Sequence, residues 1–428
     1  MIALRDYQER AIDAVRVQYS NGVKRVLLVA PTGFGKTALA SALIASALGK
    51  GHRVLFLVHR REIVLDTAER LRSLGLQVGV LMPGHPPPGD ARVVVASVAT
   101  VVAREARPEA ELVIWDEAHH SSARSYESIR LQYPSAWHLG LTATPERGDG
   151  VGLSDAFDVL VVGATVAELQ SAGWLAQCDV IGPPKPSRAA SMTIAHALEV
   201  AQEMSGGSVL LFTRYVQHSR DAAREIEGAA HVDGSTSVQE RAEAVEAFRG
   251  GAIRVLSSVG VFTEGTDLPR AKVCILARPV GSAGLYLQMV GRVLRPFEGQ
   301  RALVIDLYGS THLYGPPEEP REYTLHGIKR LDKKKRPWLC QCLKCGSVVL
   351  GARRCEACSL CGHPWPPVPA LEVREQELGS VKRKAGQSRD STLASLHAIA
   401  QARGYKPGWV AHQYKARFGV WPRSKGDK

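Results

Sequence analysis

The chain has 428 residues, 45% of them hydrophobic and 22% charged, and its formal net charge at pH 7 is +12. This length predicts two or three domains, and the composition fits a globular α/β protein. No apolar run approaches the ~20 residues that a membrane span needs. The N-terminus, MIALRDYQER, is charged where a signal peptide would be apolar. We therefore expect a cytoplasmic protein with no membrane partner.

Charge and cysteine are both concentrated at the C-terminal end. Residues 329–428 hold 21 Lys/Arg against 7 Asp/Glu, whereas residues 1–328 hold 33 against 35. This surplus predicts a polyanionic partner such as nucleic acid, the alternative being a solvated basic tail. Six of the eight cysteines lie between Cys340 and Cys361. In a cytosolic chain such a density favours a metal site over disulfides.

The stretch VLLVAPTGFGKT, residues 26–37, combines a short apolar strand with a glycine-rich loop, and an Ala- and Leu-rich helix follows it. Strand, loop, Lys-Thr and helix predict a phosphate-binding loop. Lys36 would neutralise the β/γ-phosphates and the Thr37 hydroxyl would bind Mg²⁺. Ala30 stands where the strict pattern has its first glycine, and the alternative is a chance glycine turn. The residues predicted to hold the nucleotide are Pro31, Thr32, Gly33, Phe34, Gly35, Lys36 and Thr37.

A second apolar strand, residues 112–115, runs directly into Asp116 and Glu117. Two adjacent carboxylates at the tip of a buried strand predict a catalytic pair. Asp116 would hold Mg²⁺ through water, and Glu117 would orient the attacking water. The alternative is an ordinary acidic helix start.

Further strands, residues 54–58 and 93–95, are each followed by side chains that suit phosphate contacts. The carboxyl ends of parallel strands form the ligand-binding edge of a doubly wound sheet. The candidates on that edge are Arg60, Arg61, Ser97 and Thr100.

A second α/β pattern begins after GPPKPSR, residues 182–188, which resembles a linker. Its strand at residues 208–212 leads to Thr213 and Arg214. Because this half has no phosphate loop of its own, we expect the nucleotide to lie between two lobes.

APTGFGKT, DEAH and TATP, in this order, resemble motifs I, II and III of a DEAH-box superfamily 2 helicase. The opening RDYQ resembles that superfamily's adenine-reading element, which implies that Arg5 and Gln8 contact adenine. The resemblance covers nearly all of residues 1–330 and is strongest to the RadD-like helicases of bacteria and phages. It implies ATP and Mg²⁺ as cofactors and two RecA-like lobes, residues 1–176 and 189–328.

The second lobe contains two more stretches that resemble helicase motifs. Residues 259–269 resemble motif V, which implies nucleic-acid contact by Thr263 and ribose-side contact by Gly265 and Asp267. The spacing Q-x-x-G-R-x-x-R places Gln288, Arg292 and Arg295 on one face of a helix. Such a face would present Gln288 to water and both arginines to the γ-phosphate, the alternative being an arginine-rich surface helix. The family also grips the nucleic-acid backbone at positions matching Arg60, Arg61, Ser97, Thr100, Thr213 and Arg214.

Residues 329–369 predict a basic zinc-binding module. Cys342/Cys345 and Cys358/Cys361 form two C-x2-C-Gly knuckles separated by 12 residues, the spacing of a structural Cys₄ zinc site. Cys340 and Cys355 leave other pairings open, chiefly Cys342/Cys345 with Cys355/Cys358.

Residues 370–428 predict a linker and a basic helical hairpin. Its four aromatic residues alternate with cations, a pattern that suits nucleic-acid binding by stacking and phosphate contacts. The alternative is that these aromatics form the core of the hairpin. They are Trp409, Tyr414, Phe418 and Trp421.

Together these features predict an ATP-dependent helicase or translocase that acts on nucleic acid, with DNA favoured over RNA by the RadD-like resemblance. That resemblance also implies work in DNA repair, recombination or replication, with proteins of those systems as partners. Three alternatives stay open: a duplex translocase that does not unwind, an RNA helicase, and a nucleic-acid-binding protein with an ATP switch.

Overall fold

The structure is a computed structural model. It describes residues 4–59, 63–104, 107–121, 123–148, 150–183, 185–187, 189–261, 268, 270–297, 299, 301–329, 339–342, 344–350, 357–358, 360–364, 396, 400–401 and 410–412. The chain divides into two compact units, Met1–Pro366 and Pro367–Lys428. In the second unit the described residues are helical, and most of the predicted hairpin lies outside them. Among the described helices, none is both long and apolar enough to cross a bilayer.

The first lobe is built on a seven-stranded parallel sheet. Its strands are β1 (Arg25–Val29), β2 (Val54–Val58), β3 (Gly79–Leu81), β4 (Val93–Ser97), β5 (Leu112–Trp115), β6 (Trp137–Thr142) and β7 (Val159–Val162). Its helices are α1 (Asp6–Ser20), α2 (Lys36–Gly49), α3 (Ile63–Ser73), α4 (Val98–Ala103), α5 (Ala123–Gln132) and α6 (Val166–Ser171), with a 3₁₀ turn at Ala118–His120. The strand order is β3-β4-β2-β5-β6-β1-β7.

The second lobe is built on a six-stranded parallel sheet. Its strands are β8 (Cys178–Ile181), β9 (Ser208–Thr213), β10 (Ala229–Val232), β11 (Val255–Ser258), β12 (Ala271–Ala277) and β13 (Ala302–Asp306). Its helices are α7 (Ile194–Met204), α8 (Val216–Glu225), α9 (Val238–Gly250), α10 (Ala283–Val290) and α11 (Ser310–Tyr314). The strand order is β10-β11-β9-β12-β13-β8.

The central strands are continuous apolar runs because helices cover both faces of each sheet. In β2, every residue of VLFLV is buried. All seven residues of β12 are buried as well, including one charged residue, Lys272, whose ammonium donates to the Phe297 carbonyl at 2.6 Å. The predicted pair of doubly wound α/β lobes is therefore confirmed. The second sheet already includes β8, which precedes the predicted linker at residues 182–188.

After the second lobe, the chain returns to the first. A short antiparallel hairpin, β14 (Glu322–Thr324) and β15 (Gly327–Lys329), packs there through Tyr323 and Leu325. The backbone N–H of Leu153 donates to the Leu325 carbonyl at 2.7 Å. The hairpin thus ties the end of the second lobe to the first.

A second ribbon, β16 (Leu339–Gln341) and β17 (Val348–Leu350), docks against the edge strand β8. Ser347 and Ile181 form an antiparallel bridge, and the Gln341 side-chain amide donates to the Gly182 carbonyl. The cysteine-rich region is therefore seated on the second sheet at its open edge.

Candidate active site

The phosphate loop lies between β1 and α2, as the sequence predicts. Gly33 and Gly35 both have φ near +88°, a backbone conformation that L side chains rarely adopt. Helix α2 starts at Lys36, immediately after the second of these glycines. The loop therefore ends on a helix N-terminus, where backbone N–H groups and the helix dipole favour an anion.

Helix α1 holds the loop from one side. The Tyr7 hydroxyl and the Gln8 side-chain amide both donate to the Phe34 carbonyl, at 3.1 and 2.9 Å. A Cβ on Gly35 would lie 2.4 Å from the Gln8 amide nitrogen, so a larger residue there would displace the Gln8 side chain and also adopt an unfavourable positive φ. Gln8 also accepts from the Arg5 backbone N–H at 3.0 Å. Gln8, predicted from the resemblance to contact adenine, thus contacts the phosphate loop directly.

The predicted carboxylate pair follows β5 at the same edge of the sheet. The Lys36 ammonium lies 3.8 Å from the nearer Glu117 oxygen, and the two side chains are only 12% and 16% exposed. Among the described residues, Glu117 is the one non-glycine with positive φ, at +46°. Such strained conformations occur mainly at functional sites, where the surrounding structure holds them in place.

A hydrogen-bonded chain crosses from the second lobe to the first through His119. The Gln288 amide donates to His119 Nε2 at 2.9 Å, which leaves the proton on Nδ1 to bond the Thr142 hydroxyl at 2.8 Å. Thr142 in turn donates to the Thr144 carbonyl at 2.7 Å. His119 Nδ1 also lies 3.5 Å from Glu117, so a histidine links Gln288 to the predicted carboxylate pair.

The arginine segment of the second lobe lies against the phosphate loop. A Cβ on Gly291 would lie 2.5 Å from Thr32, and one on Gly33 would lie 3.9 Å from the Arg295 side chain. Arg292 is buried and Arg295 is partly buried. Burial, followed by the positive charges of Arg70 and Arg249, lowers the pKa of Arg295 to about 10. Arg295 therefore stays charged at neutral pH.

The helical face predicted for Gln288, Arg292 and Arg295 is only partly formed. Helix α10 ends at Val290, and the backbone N–H groups of Arg292 and Val293 bond three residues back instead of four. The tighter turn that results carries Arg292 and Arg295 beyond the helix. The geometry still brings Arg295 to the loop, but not through one continuous helix.

The predicted nucleic-acid contacts differ in exposure. Ser97, Thr100 and Thr213 are buried, and Ser97 caps α4 by accepting from the Thr100 N–H at 3.2 Å. Arg214 is exposed, with its guanidinium 5.1 Å from the Tyr215 ring centre. The candidates Arg60, Arg61 and Thr263 lie outside the described residues, as do the nucleotide candidates Gly265 and Asp267.

Four cysteines meet beside the second lobe. The sulfur atoms of Cys342, Cys345, Cys358 and Cys361 all lie within 4.8 Å of one another. The Cys342–Cys361 and Cys345–Cys358 sulfurs are 3.6 and 3.7 Å apart. Four thiolates around a tetrahedral zinc ion, with Zn–S bonds of about 2.3 Å, would be separated by about 3.8 Å.

The two knuckles share one backbone design. The glycine after each pair has positive φ, +71° at Gly346 and +68° at Gly362, and its N–H donates to the carbonyl of the first cysteine. The structure thus joins the two C-x2-C-Gly pairs. Cys355, needed for the rival pairing, lies outside the described residues, as does the side chain of Cys340.

Sequence reasoning assigned no role to His119, Thr142, Tyr7 or Trp174. His119 and Thr142 were inside recognised motifs, so their positions were visible, but their partners come from distant parts of the chain. Trp174 lies on the segment that connects the two lobes, against Arg5, and carried no motif signal.

Two protein families match the chain. The family described as "Type III restriction enzyme, res subunit" matches residues 1–147, and "Helicase conserved C-terminal domain" matches residues 191–296. The "51.5 kDa protein" of Lactococcus phage (isolate 7-9) is 30% identical over 88% of each chain. The chain belongs to the superfamily 2 helicases. It is an ATP-hydrolysing enzyme of that superfamily, as the motifs predicted.

Other superfamily 2 relatives are similar over most of the two lobes. The "DNA 3'-5' translocase XPB2" of Sulfurisphaera tokodaii is 26% identical over 72% of this chain and 81% of its own length. The "DNA 3'-5' helicase XPB" of Kineococcus radiotolerans is 28% identical over 69% of this chain. Of that protein and several other longer relatives, the chain spans only 54–58%.

A solved structure shares the fold. The DNA-bound helicase MrfA superimposes with a TM-score of 0.56 at 17% identity, over 74% of this chain and 49% of its own. This likeness supports the arrangement of two RecA-like lobes.

Proposed function

We propose that this superfamily 2 enzyme is an ATP-driven motor on DNA, with one ATP site built by both lobes. The observation that carries the proposal is the contact of the second lobe's arginine segment with the first lobe's phosphate loop, at Gly291 and Thr32. The Gln288–His119 bond joins the same two lobes beside Glu117. ATP binding and release at this interface between the lobes would change their separation. The two lobes would thereby move along a nucleic-acid strand.

We assign a role to each predicted catalytic residue at the interface between the lobes. Lys36 binds the β/γ-phosphates, and Thr37 and Asp116 offer oxygen donors of the kind that Mg²⁺ prefers. Mg²⁺, when bound, neutralises phosphate charge. Glu117 accepts a hydrogen bond from the attacking water, and Gln288 orients the site through His119. Arg292 and Arg295 stabilise charge on the transferring phosphoryl group.

The remaining nucleotide contacts are proposed from the resemblance. Arg5 and Gln8 would contact the base, and Gln8 already bonds the Phe34 carbonyl of the loop. Gly265 and Asp267 would face the ribose from the second lobe.

We propose a nucleic-acid track because of the charge distribution, and DNA in particular because of the relatives' names. XPB2 is named a DNA 3'-5' translocase, and polarity in the same direction is the natural expectation here. Backbone contacts move an enzyme along any sequence and carry no base specificity. Arg60, Arg61, Thr213, Arg214 and Thr263 are the proposed contacts, and Ser97 and Thr100 would act through the N-terminus of α4. Repair or replication proteins are the proposed partners.

We propose that the four-cysteine cluster holds a structural Zn²⁺. The sulfur separations fit a closed tetrahedral site, and a site with four protein ligands leaves no open position for catalysis. The corresponding division of the chain is residues 1–176 and 189–328 for the lobes, 329–369 for the zinc module and 370–428 for the basic tail.

The proposed zinc site can be tested by measuring the zinc content of the purified protein. We expect about one zinc ion per purified chain, because thiolate ligands in this geometry bind zinc tightly. Cys358→Ser should remove most of it, as measured by elemental mass spectrometry on the folded protein. Cys274→Ser, at a buried cysteine within β12, is the matched control and should keep the metal. Full zinc content in Cys358→Ser would reject the assignment.

The proposed role of the basic tail can be tested by the salt dependence of DNA binding. Residues 367–428 hold 12 Lys/Arg against 5 Asp/Glu, and they form a separate compact unit. A chain ending at Pro366 should bind DNA more weakly, and its plot of log affinity against log salt should flatten by about 0.9 for each phosphate that the tail no longer neutralises. Fluorescence anisotropy over a salt series measures both quantities. An unchanged slope would show that the tail does not bind the phosphates.

The function itself is tested by ATPase rates without nucleic acid and with single-stranded DNA, duplex DNA, forked DNA and RNA. Strong stimulation by a DNA supports the motor and names its track. A strand-displacement assay and a triplex-displacement assay, run in parallel, separate unwinding from translocation on duplex. Stimulation by RNA alone, or no stimulation by any polymer, would overturn the DNA motor.

A further inference from the structure

Residues 173–177, between α6 and β8, connect the lobes and contact the nucleotide site three times in succession. Trp174 lies against Arg5, with the guanidinium carbon 4.0 Å from the ring centre. Leu175 is buried against the phosphate loop, 2.7 Å from where a Cβ on Gly33 would lie. The Ala176 N–H donates to the carbonyl of Leu294, next to Arg295, at 2.7 Å. Three consecutive residues thus touch three separate parts of the site.

The Arg5–Trp174 pair is ordered but open to solvent. Arg5 donates to the Tyr7 hydroxyl at 3.0 Å, and Tyr7 in turn donates to the Phe34 carbonyl of the phosphate loop at 3.1 Å. The guanidinium is therefore held between the indole ring and a residue that already contacts the loop. Trp174 is nevertheless 39% exposed, and Arg5 is exposed as well. A planar cation on an aromatic ring is a surface on which another flat ring can stack.

A nucleoside triphosphate whose phosphates lie on the loop must rest its base on a surface that borders the loop. We propose that Trp174 is a positioning residue for base recognition, holding the Arg5 guanidinium flat as the platform for the purine of ATP. This inference rests on the proposed ATP site and deepens it. It explains why a large aromatic residue stays exposed on a connector that is otherwise packed between the lobes.

The position of Trp174 predicts which kinetic constant will change. The connector's link to the arginine segment is a backbone bond, Ala176 to Leu294, so a side-chain substitution at residue 174 leaves it in place. Removing the indole should therefore weaken ATP binding and base discrimination. The rate at saturating ATP should stay close to that of the unmodified enzyme.

The test is steady-state kinetics of Trp174→Ala and Trp174→Phe with ATP and with CTP, at saturating DNA. Trp174→Ala should raise KM for ATP roughly 2- to 30-fold, the range of one cation–aromatic contact. The ratio of kcat/KM for ATP over CTP should fall by a similar factor, and Trp174→Phe should keep most of both. A merely structural role would change ATP and CTP equally, and that result would overturn the proposal.

Two further measurements separate this inference from the motor itself. Trp137→Phe alters another cation–aromatic pair, with Lys24 at 5.8 Å, and should leave both nucleotides unaffected. Calorimetric binding of ADP and CDP tests the platform without turnover. An enzyme that hydrolyses no ATP but prefers ADP only when Trp174 is present would reject the motor and retain the platform. Equal preference in Trp174→Ala and the unmodified chain would reject the platform alone.

Discussion

Glu117→Gln should reduce kcat for ATP hydrolysis by roughly 10²- to 10⁴-fold, the range for loss of a positioned general base. The substitution keeps the size of the side chain and removes the charge that would hold the attacking water. Glu117 is largely buried, lies 3.8 Å from Lys36 and has a strained backbone, so its carboxylate is fixed at the phosphate loop. ATP binding should persist, because the loop and α2 are untouched. Turnover with saturating DNA and calorimetric ATP binding are the two measurements.

The matched control is Glu127→Gln on α5. Glu127 is exposed and pairs with Arg130 at 3.0 Å, so it carries the same chemical change at a position remote from the loop. Its kcat should equal that of the unmodified chain. Wild-type turnover in Glu117→Gln, in a protein that melts normally, would show that another group orients the water.

Arg295→Ala should reduce kcat by roughly 10³- to 10⁵-fold, the range for loss of an arginine finger. The reason is that Arg295 is partly buried beside the phosphate loop, so water screens its charge less than at the open surface. Arg295→Lys should recover only part of the rate, because an ammonium keeps the charge without the planar fork of donors. KM for ATP should change less than kcat, since Lys36 and the loop still bind the phosphates. Single-turnover hydrolysis with DNA bound measures the chemical step directly.

Arg224→Ala provides the control in the same lobe. Arg224 lies on α8, is 72% exposed and pairs with Asp221 at 3.7 Å. Its loss should leave the rate unchanged. If Arg292→Ala lost activity while Arg295→Ala did not, the finger would be Arg292 and the close approach of Arg295 to the loop would be structural.

The sequence predicted the parts of the fold that depend on local pattern. Strands β2 and β5 match their predicted bounds, because buried parallel strands are apolar from end to end. Strand β8 was not recognised, since CDVI is short and contains a charge. The structure shows why the charged Asp179 is tolerated in this strand. Arg301, 122 residues away, donates two hydrogen bonds to its carboxylate, at 2.7 and 2.8 Å.

In the candidate site, too, local sequence pattern predicted the residues but not their distant partners. Gly33, Gly35, Lys36 and Glu117 were visible because their roles depend on neighbours in the chain. The Gln288–His119 hydrogen bond joins residues 169 positions apart in the chain. The local spacing of residues cannot predict a partner at that distance. The helical face predicted from the Q-x-x-G-R-x-x-R spacing overlooked that α10 ends at Val290, where the backbone tightens toward the phosphate loop.

The ribbon formed by β16 and β17 docks on the edge strand β8, and this docking affects the tendency of the chain to self-associate. The outermost strand of an open sheet presents unpaired backbone groups that can recruit another chain. Ser347 and Gln341 occupy part of that strand's border, at Ile181 and Gly182. The ribbon that carries the first C-x2-C-Gly knuckle therefore covers part of this edge and would oppose edge-to-edge self-association. A chain stripped of the proposed zinc ion would lose this cover, so its tendency to aggregate would rise even while the phosphate loop in the first lobe stayed intact.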